Sequence, residues 1–238
     1  MPQWLLIIVL TLGAGAAIPV GAFLARIESL VPQWLDNELR HFVIAFGGGA
    51  LLAAVALILV PDGIKYLPVW AATLSFAGGG LAFMSLDVYL AKRGTSASQL
   101  VAMLADFLPE AIALGAICAT GGSNNAYLLA GLIALQNVPE GFNAYRESVG
   151  SIPSQRLLIA FCLLALLGPV AGMTGFFLLA SSPVALAVLM LFAAGGILYL
   201  IFQDIAPQAR LKQHWSPPMG AVAGFLLGTI GHMLLMPG

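Results

Sequence analysis

The chain has 238 residues, of which 61% are hydrophobic and 8% charged, with a net charge of −1. A water-solvated domain carries about 25% charged residues, so this composition excludes a soluble globular protein, and the balanced charge gives no footing for a nucleic-acid partner. At roughly 20 apolar residues per crossing, the length allows about eight spans in a single transmembrane domain covering residues 1–238 and leaves no room for a soluble one.

In chain order, the first span is expected at 3–25. No basic residue precedes its apolar run, which predicts a retained helix and not a cleaved signal. The connection after it is the longest and holds Arg26, Glu28, Asp36, Glu38 and Arg40; part of it is expected to lie as a helix along the membrane surface. A second span at 41–61 ends on Pro61 and Asp62, and a third at 68–91 ends before Lys92 and Arg93, with which Asp87 is expected to pair. The fourth, at 99–120, and the fifth, at 125–145, carry acids and amides in mid-span. Apolar runs at 156–180, 183–205 and 217–236 complete the set. Cys118 and Cys162 fall in apolar runs and read as small buried side chains.

With eight spans, the connections after the first, third, fifth and seventh share one side of the membrane. They hold Arg26, Arg40, Lys92, Arg93, Arg146, Arg156, Arg210 and Lys212, whereas the other side holds only Lys65. The positive-inside bias therefore predicts a multi-pass protein of the cell membrane with both termini outside.

Helices two and seven repeat one another. Phe46, Gly49, Leu52 and Pro61 return as Phe192, Gly195, Leu198 and Pro207, each 146 residues later. Asp106-Phe-Leu-Pro109-Glu110 is echoed by Gln136-Asn-Val-Pro139-Glu140 at a spacing of 30. Both pairs run in opposite directions under this topology, as in the inverted repeats of secondary transporters.

Three acids, Asp106, Glu110 and Glu140, fall within spans four and five. Ionised and unpaired, they would together cost roughly 9 kcal/mol, and no Lys or Arg lies at their depth: Arg146 is about 9 Å along the axis from Glu140. Asp106 and Glu110 are i, i+4 on one face, as are Gln136 and Glu140, with Asn143 continuing the stripe. Pro109 and Pro139 also free the carbonyls of Ala105 and Leu135. A dehydrated divalent cation is the partner that best removes the penalty; the plainer alternative is a helix kink with a protonated Glu bonded to an amide.

At these residues the chain resembles the ZIP family of divalent metal transporters, whose His-Asn-x-Pro-Glu-Gly type motif is matched here by Gln136-Asn137-Val138-Pro139-Glu140-Gly141 and, on helix four, by Asp106-Phe107-Leu108-Pro109-Glu110-Ala111. The resemblance implies an all-α, eight-helix bundle with inverted repeats. It further implies a homodimer that moves divalent ions such as Zn, Fe, Mn or Cd into the cytoplasm. Carried over by residue, the metal site would be Asp106, Glu110, Gln136 and Glu140, with Asn137 and Asn143 beside them. The family's second metal position reads Phe107, Asn137 and Gly168 here, so one site is expected. His41, His214 and His232 lie away from it, and the loop after helix three has no histidines. An all-oxygen site favours Mn²⁺ or Fe²⁺, although carboxylates also bind Zn²⁺.

Asp62 is an entrance candidate, or equally a helix-end cap, and Gln203 and Asp204 are exit candidates. Glu147 is expected at the cytoplasmic surface with Arg146. Two other readings remain: a metal-binding relative that does not transport, and an intramembrane enzyme using paired carboxylates. Against the enzyme, the remaining acids lie near helix ends and no Gly-x-Gly-Asp pattern is present.

Overall fold

The long apolar runs are helical in the computed structural model, which describes residues 2–28, 33–93, 97–119, 123–210 and 215–235; among these there is no strand. A hydrocarbon interior offers the backbone no water, so each segment satisfies its own N–H and C=O groups in a helical ladder. The long helices are α1 (Gln3–Glu28), α2 (Gln33–Ala54), α3 (Val69–Arg93), α4 (Ala97–Ala119), α5 (Ser123–Ser148), α6 (Ser154–Leu179), α7 (Pro183–Leu200) and α8 (Ser216–Leu235). Among the described residues six helices are long and apolar enough to cross a membrane: α1, α2 with its extension, α3, α6, α7 with its extension, and α8. The chain is an all-α, multi-pass membrane protein. In α5, Gln136, Asn137, Glu140 and Asn143 dilute the apolar run.

The charged connection between the first two helices is shorter than expected. Arg26 and Glu28 close α1, and Glu38 and Arg40 belong to α2 itself, so α2 replaces the separate surface helix. The Ser216 hydroxyl donates to the Glu38 carboxylate and ties the start of α2 to the start of α8.

Two π turns interrupt the α-helical ladder. Val55–Leu59 extends α2 and Ile201–Ile205 extends α7. In the first, Val60 N–H reaches back to Val55 O; in the second, Ala206 N–H reaches Ile201 O. The two turns are 146 residues apart, and each sits just before a proline, Pro61 or Pro207. Proline clashes with the carbonyl four residues earlier and offers it no N–H, and a wider turn relieves both problems. Gly48 lies against Ile205 and Gly63 against Leu191, so α2 and α7 run antiparallel.

Glycines fix the helix pairing. A Cβ placed on Gly21 would fall 2.0 Å from Val138 O, and one on Gly141 2.1 Å from Ile18 O, so α1 and α5 meet backbone to backbone. The same contacts recur between α6 and α4, where Gly175 meets Ile112 O and Gly115 meets Gly172 O, each at 1.9 Å. Gly49 on Ala221 and Gly224 on Phe46 join α2 to α8; Gly195 on Phe76 and Gly79 on Phe192 join α7 to α3. Each of these backbone contacts thus has a repeat-related counterpart, at offsets of 154 for α1 and α6, 146 for α2 and α7, and 145 for α3 and α8. This arrangement relates α4 to α5 at 26 residues, not at the 30 of the Pro-Glu echo, a difference of about one helical turn. The glycines that permit close packing do so within one chain, Gly47 to Gly49 included; Gly78 has nothing within 4 Å.

Asp87 accepts a hydrogen bond from Tyr199 Oη at 2.9 Å, which joins α3 to α7, while the side chain of Arg93, one of its expected partners, lies outside the described residues. One expectation is corrected. Cys118 is buried but Cys162 is exposed on α6, beside the equally exposed Leu163 and Leu166. Neither is in a disulfide.

Candidate functional site

Where α4 and α5 face each other, their polar residues meet as rungs. Gln136 Nε2 donates to Glu110 Oε2 at 2.7 Å. One turn further along, the carboxyl groups of Asp106 and Glu140 share a hydrogen bond. These two rungs make the helices antiparallel at the site. Asp106, Glu110, Gln136 and Asn137 are buried, and Glu140 and Asn143 are half-buried. The stripe faces inward because Gly21 and Gly141 draw α5 onto α1, while Gly47 makes room for the ring of Pro139 on its α2 side.

Six buried oxygens here have no hydrogen-bond partner: Asp106 Oδ1, Glu110 Oε1, Gln136 Oε1, Asn137 Oδ1, Glu140 Oε2 and Asn143 Oδ1. They belong to the same six residues picked out in the sequence as metal ligands. Buried acceptors without donors are expensive, and a cation is a partner that can serve several at once. The acids alone are not enough: among the described residues no three His, Cys, Asp or Glu side chains gather closely enough to hold a metal ion. An ion bound here would need further oxygen ligands, which the amides of Gln136 and Asn143 offer.

A cavity of about 90 Å³ adjoins the rungs. Asp106, Gln136, Glu140 and Asn143 line it, facing Gly47 and Gly48 of α2, and it continues past Glu147 to Asp204 and Gln208. Glu110 and Asn137 do not line it. Asn137 Nδ2 donates to Ala14 O of α1 at 2.9 Å, so this amide ties α5 to α1. The buried ring of Phe107 fills the space left by two glycines: a Cβ on Gly15 or Gly168 would come within 3.0 or 2.8 Å of it. The three positions that the resemblance in sequence would give to a second metal, Phe107, Asn137 and Gly168, thus hold an aromatic ring, an interhelical amide bond and no side chain.

Of the entrance and exit candidates, Asp62 is paired with Lys65 and accepts from Asn125 Nδ2 at 2.8 Å, which joins the end of α2's extension to the start of α5. Asp204 lines the cavity and accepts from Gln208 Nε2 at 2.6 Å. Gln203 is exposed and does not line the cavity. Asp204 is also exposed, but it lines the cavity, as does Gln208 four residues on. Glu147 and Gln208 are the polar cavity residues that the sequence reading did not assign to the site. Both were within reach of it: Glu147 extends the stripe of Gln136, Glu140 and Asn143, and Gln208 is i+4 from Asp204.

Fold and site together define a multi-pass helical membrane protein with a buried cluster of acids and amides between two of its helices. No protein-family model matches the chain, and no curated protein matches it.

Proposed function

We propose that this protein is a ZIP-like carrier of divalent metal cations into the cytoplasm, working as an eight-span bundle through one site between α4 and α5. The observation that carries this reading is the set of six buried oxygens without donors on the facing sides of those helices. Two carboxylates balance the charge of one divalent ion, and amide oxygens from Gln136 and Asn143 complete an oxygen-rich shell. Asp204 and Gln208 continue the polar path from the site toward the helix ends. Phe107 and Gly168 support a single ion, since an apolar ring stands where a second would need ligands.

The test is competitive uptake of Zn²⁺, Mn²⁺, Fe²⁺ and Cd²⁺ by the purified protein in liposomes, with Glu110→Gln as control. Uptake that the control loses is expected, with Mn²⁺ or Fe²⁺ preferred. Unchanged uptake in Glu110→Gln overturns the site. Metal binding without uptake of any ion would replace the carrier with a non-transporting metal binder, and substrate turnover would be needed to revive an intramembrane enzyme.

A further inference from the structure

A second recess, of about 980 Å³, runs between α2, the end of α7 and α8. Its volume is at the upper end of the roughly 300–1,000 Å³ typical of sites for small organic ligands. All three walls come from helices long and apolar enough to span a membrane, so what meets its apolar surface is lipid. Among the described residues of the lining Arg210 alone is charged, and Trp215, 88% exposed, also lines the recess.

The recess exists because the repeat is broken there. At one end of the α2–α7 contact Gly63 packs onto the Leu191 side chain. The repeat-related positions, 146 residues away, are Ala209 and Ala45, and both line the recess. An alanine where its repeat mate is Leu191 leaves a volume that the protein does not fill with its own side chains. Buried volume left without contacts forfeits dispersion energy, and an acyl chain restores it.

We propose that this recess holds an acyl chain of an anionic glycerophospholipid, with the Arg210 guanidinium on its phosphate and Trp215 at headgroup level. Guanidinium and phosphate form paired, charge-assisted hydrogen bonds, and tryptophan concentrates at the membrane interface. Seven other basic residues are assigned by sequence to the side of the membrane that holds Arg210, which favours anionic headgroups on that face. The seated chain also touches the metal path. Gly48 and Ile205 line both this recess and the acid cavity, and Ile205 ends the π turn that carries Asp204. The lipid therefore backs the wall of the candidate site.

Native mass spectrometry tests this with the full-length protein offered phosphatidylglycerol and phosphatidylcholine in equal amounts. One retained phosphatidylglycerol per chain is expected, preferred about fivefold, the scale of one basic residue at an anionic surface. Arg210→Gln should abolish the preference while a lipid stays bound, and Ala206→Trp, which fills the recess, should lose lipid of both kinds. Wild-type preference in Arg210→Gln overturns the proposal, as does undiminished retention in an Ala206→Trp protein that is monodisperse by gel filtration. If Ala206→Trp does not fold, the Arg210→Gln comparison decides alone. The readout is lipid, so it stands or falls apart from metal transport.

Discussion

Six donorless oxygens in a membrane interior are an energetic liability that a bound cation would relieve. A ligand that binds only the folded state stabilises it by about 2.7 kcal/mol at a hundredfold excess over its Kd. Adding the transported ion should therefore raise the thermal midpoint of the detergent-solubilised protein, with one ion bound per chain by elemental analysis. In Glu110→Gln and Glu140→Gln the rise should vanish while the metal-free midpoint holds or increases, because each variant removes a carboxyl whose charged form costs about 2.5–3.5 kcal/mol in a span. An equal rise in both variants would move the ion elsewhere. Asn137 makes the opposite case. Its amide is committed to Ala14 O, so Asn137→Ala should cost about 1 kcal/mol of stability and leave the one-ion stoichiometry intact. Loss of the ion in that variant would return Asn137 to the ligand shell.

At the scale of helices, packing is set by close approach of backbones. A Cβ on Gly141 would stand 2.1 Å from Ile18 O, an atom that cannot move without its helix, whereas one on Gly131 would meet nothing within 4 Å. Gly141→Ala is expected to cost about 3 kcal/mol or more by prising α5 from α1, and Gly131→Ala to change stability little. Thermal unfolding of the two variants side by side checks this; equal midpoints would mean that α1 and α5 separate without cost. The sequence was legible at this level where a residue type is costly or constrained. Phe46, Gly49 and Pro61 carried the α2 and α7 repeat into view, and the two π turns fall on that same offset. Intramembrane acids and amides likewise marked themselves, and the cavity gathers most of them. What the sequence hid was register and direction. The Pro-Glu echo at 30 residues follows polar chemistry, while the helices pack at 26, where Gly115 answers Gly141. Asp87 has its basic neighbours Lys92 and Arg93 near in sequence, but the bond it accepts from Tyr199, 112 residues away, was beyond a local reading. Gln203 and Asp204 were equivalent as adjacent polar residues, and only Asp204 lines the cavity.

Across the whole molecule the two ends of the bundle differ. At one end Asn125 and Lys65 hold Asp62, and Gly63 is seated on Leu191, so α2's extension, α5 and α7 are tied together. At the other, the acid cavity runs from Asp106 and Glu140 past Asn143 to Glu147 and Gln208. These last two lie in the final turn of α5 and the end of α7's extension. The path therefore leads to the side where α5 ends, the cytoplasmic side in the topology proposed from Arg146, Arg156 and the positive-inside rule. With Cys118 and Cys162 replaced by serine, Glu147→Cys and Gln208→Cys should react with a membrane-impermeant thiol reagent only from the cytoplasmic face of oriented vesicles, and Asn125→Cys only from the outer face. Transported ion should slow the reaction of Gln208→Cys several-fold, because an ion held at Glu140 and Asp204 stands across the reagent's approach. Labelling of Glu147→Cys from outside alone would invert the topology and turn the proposed uptake into export. Labelling of both ends from one face would mean a continuous pore, and the ties at Asp62 would then be no barrier at all.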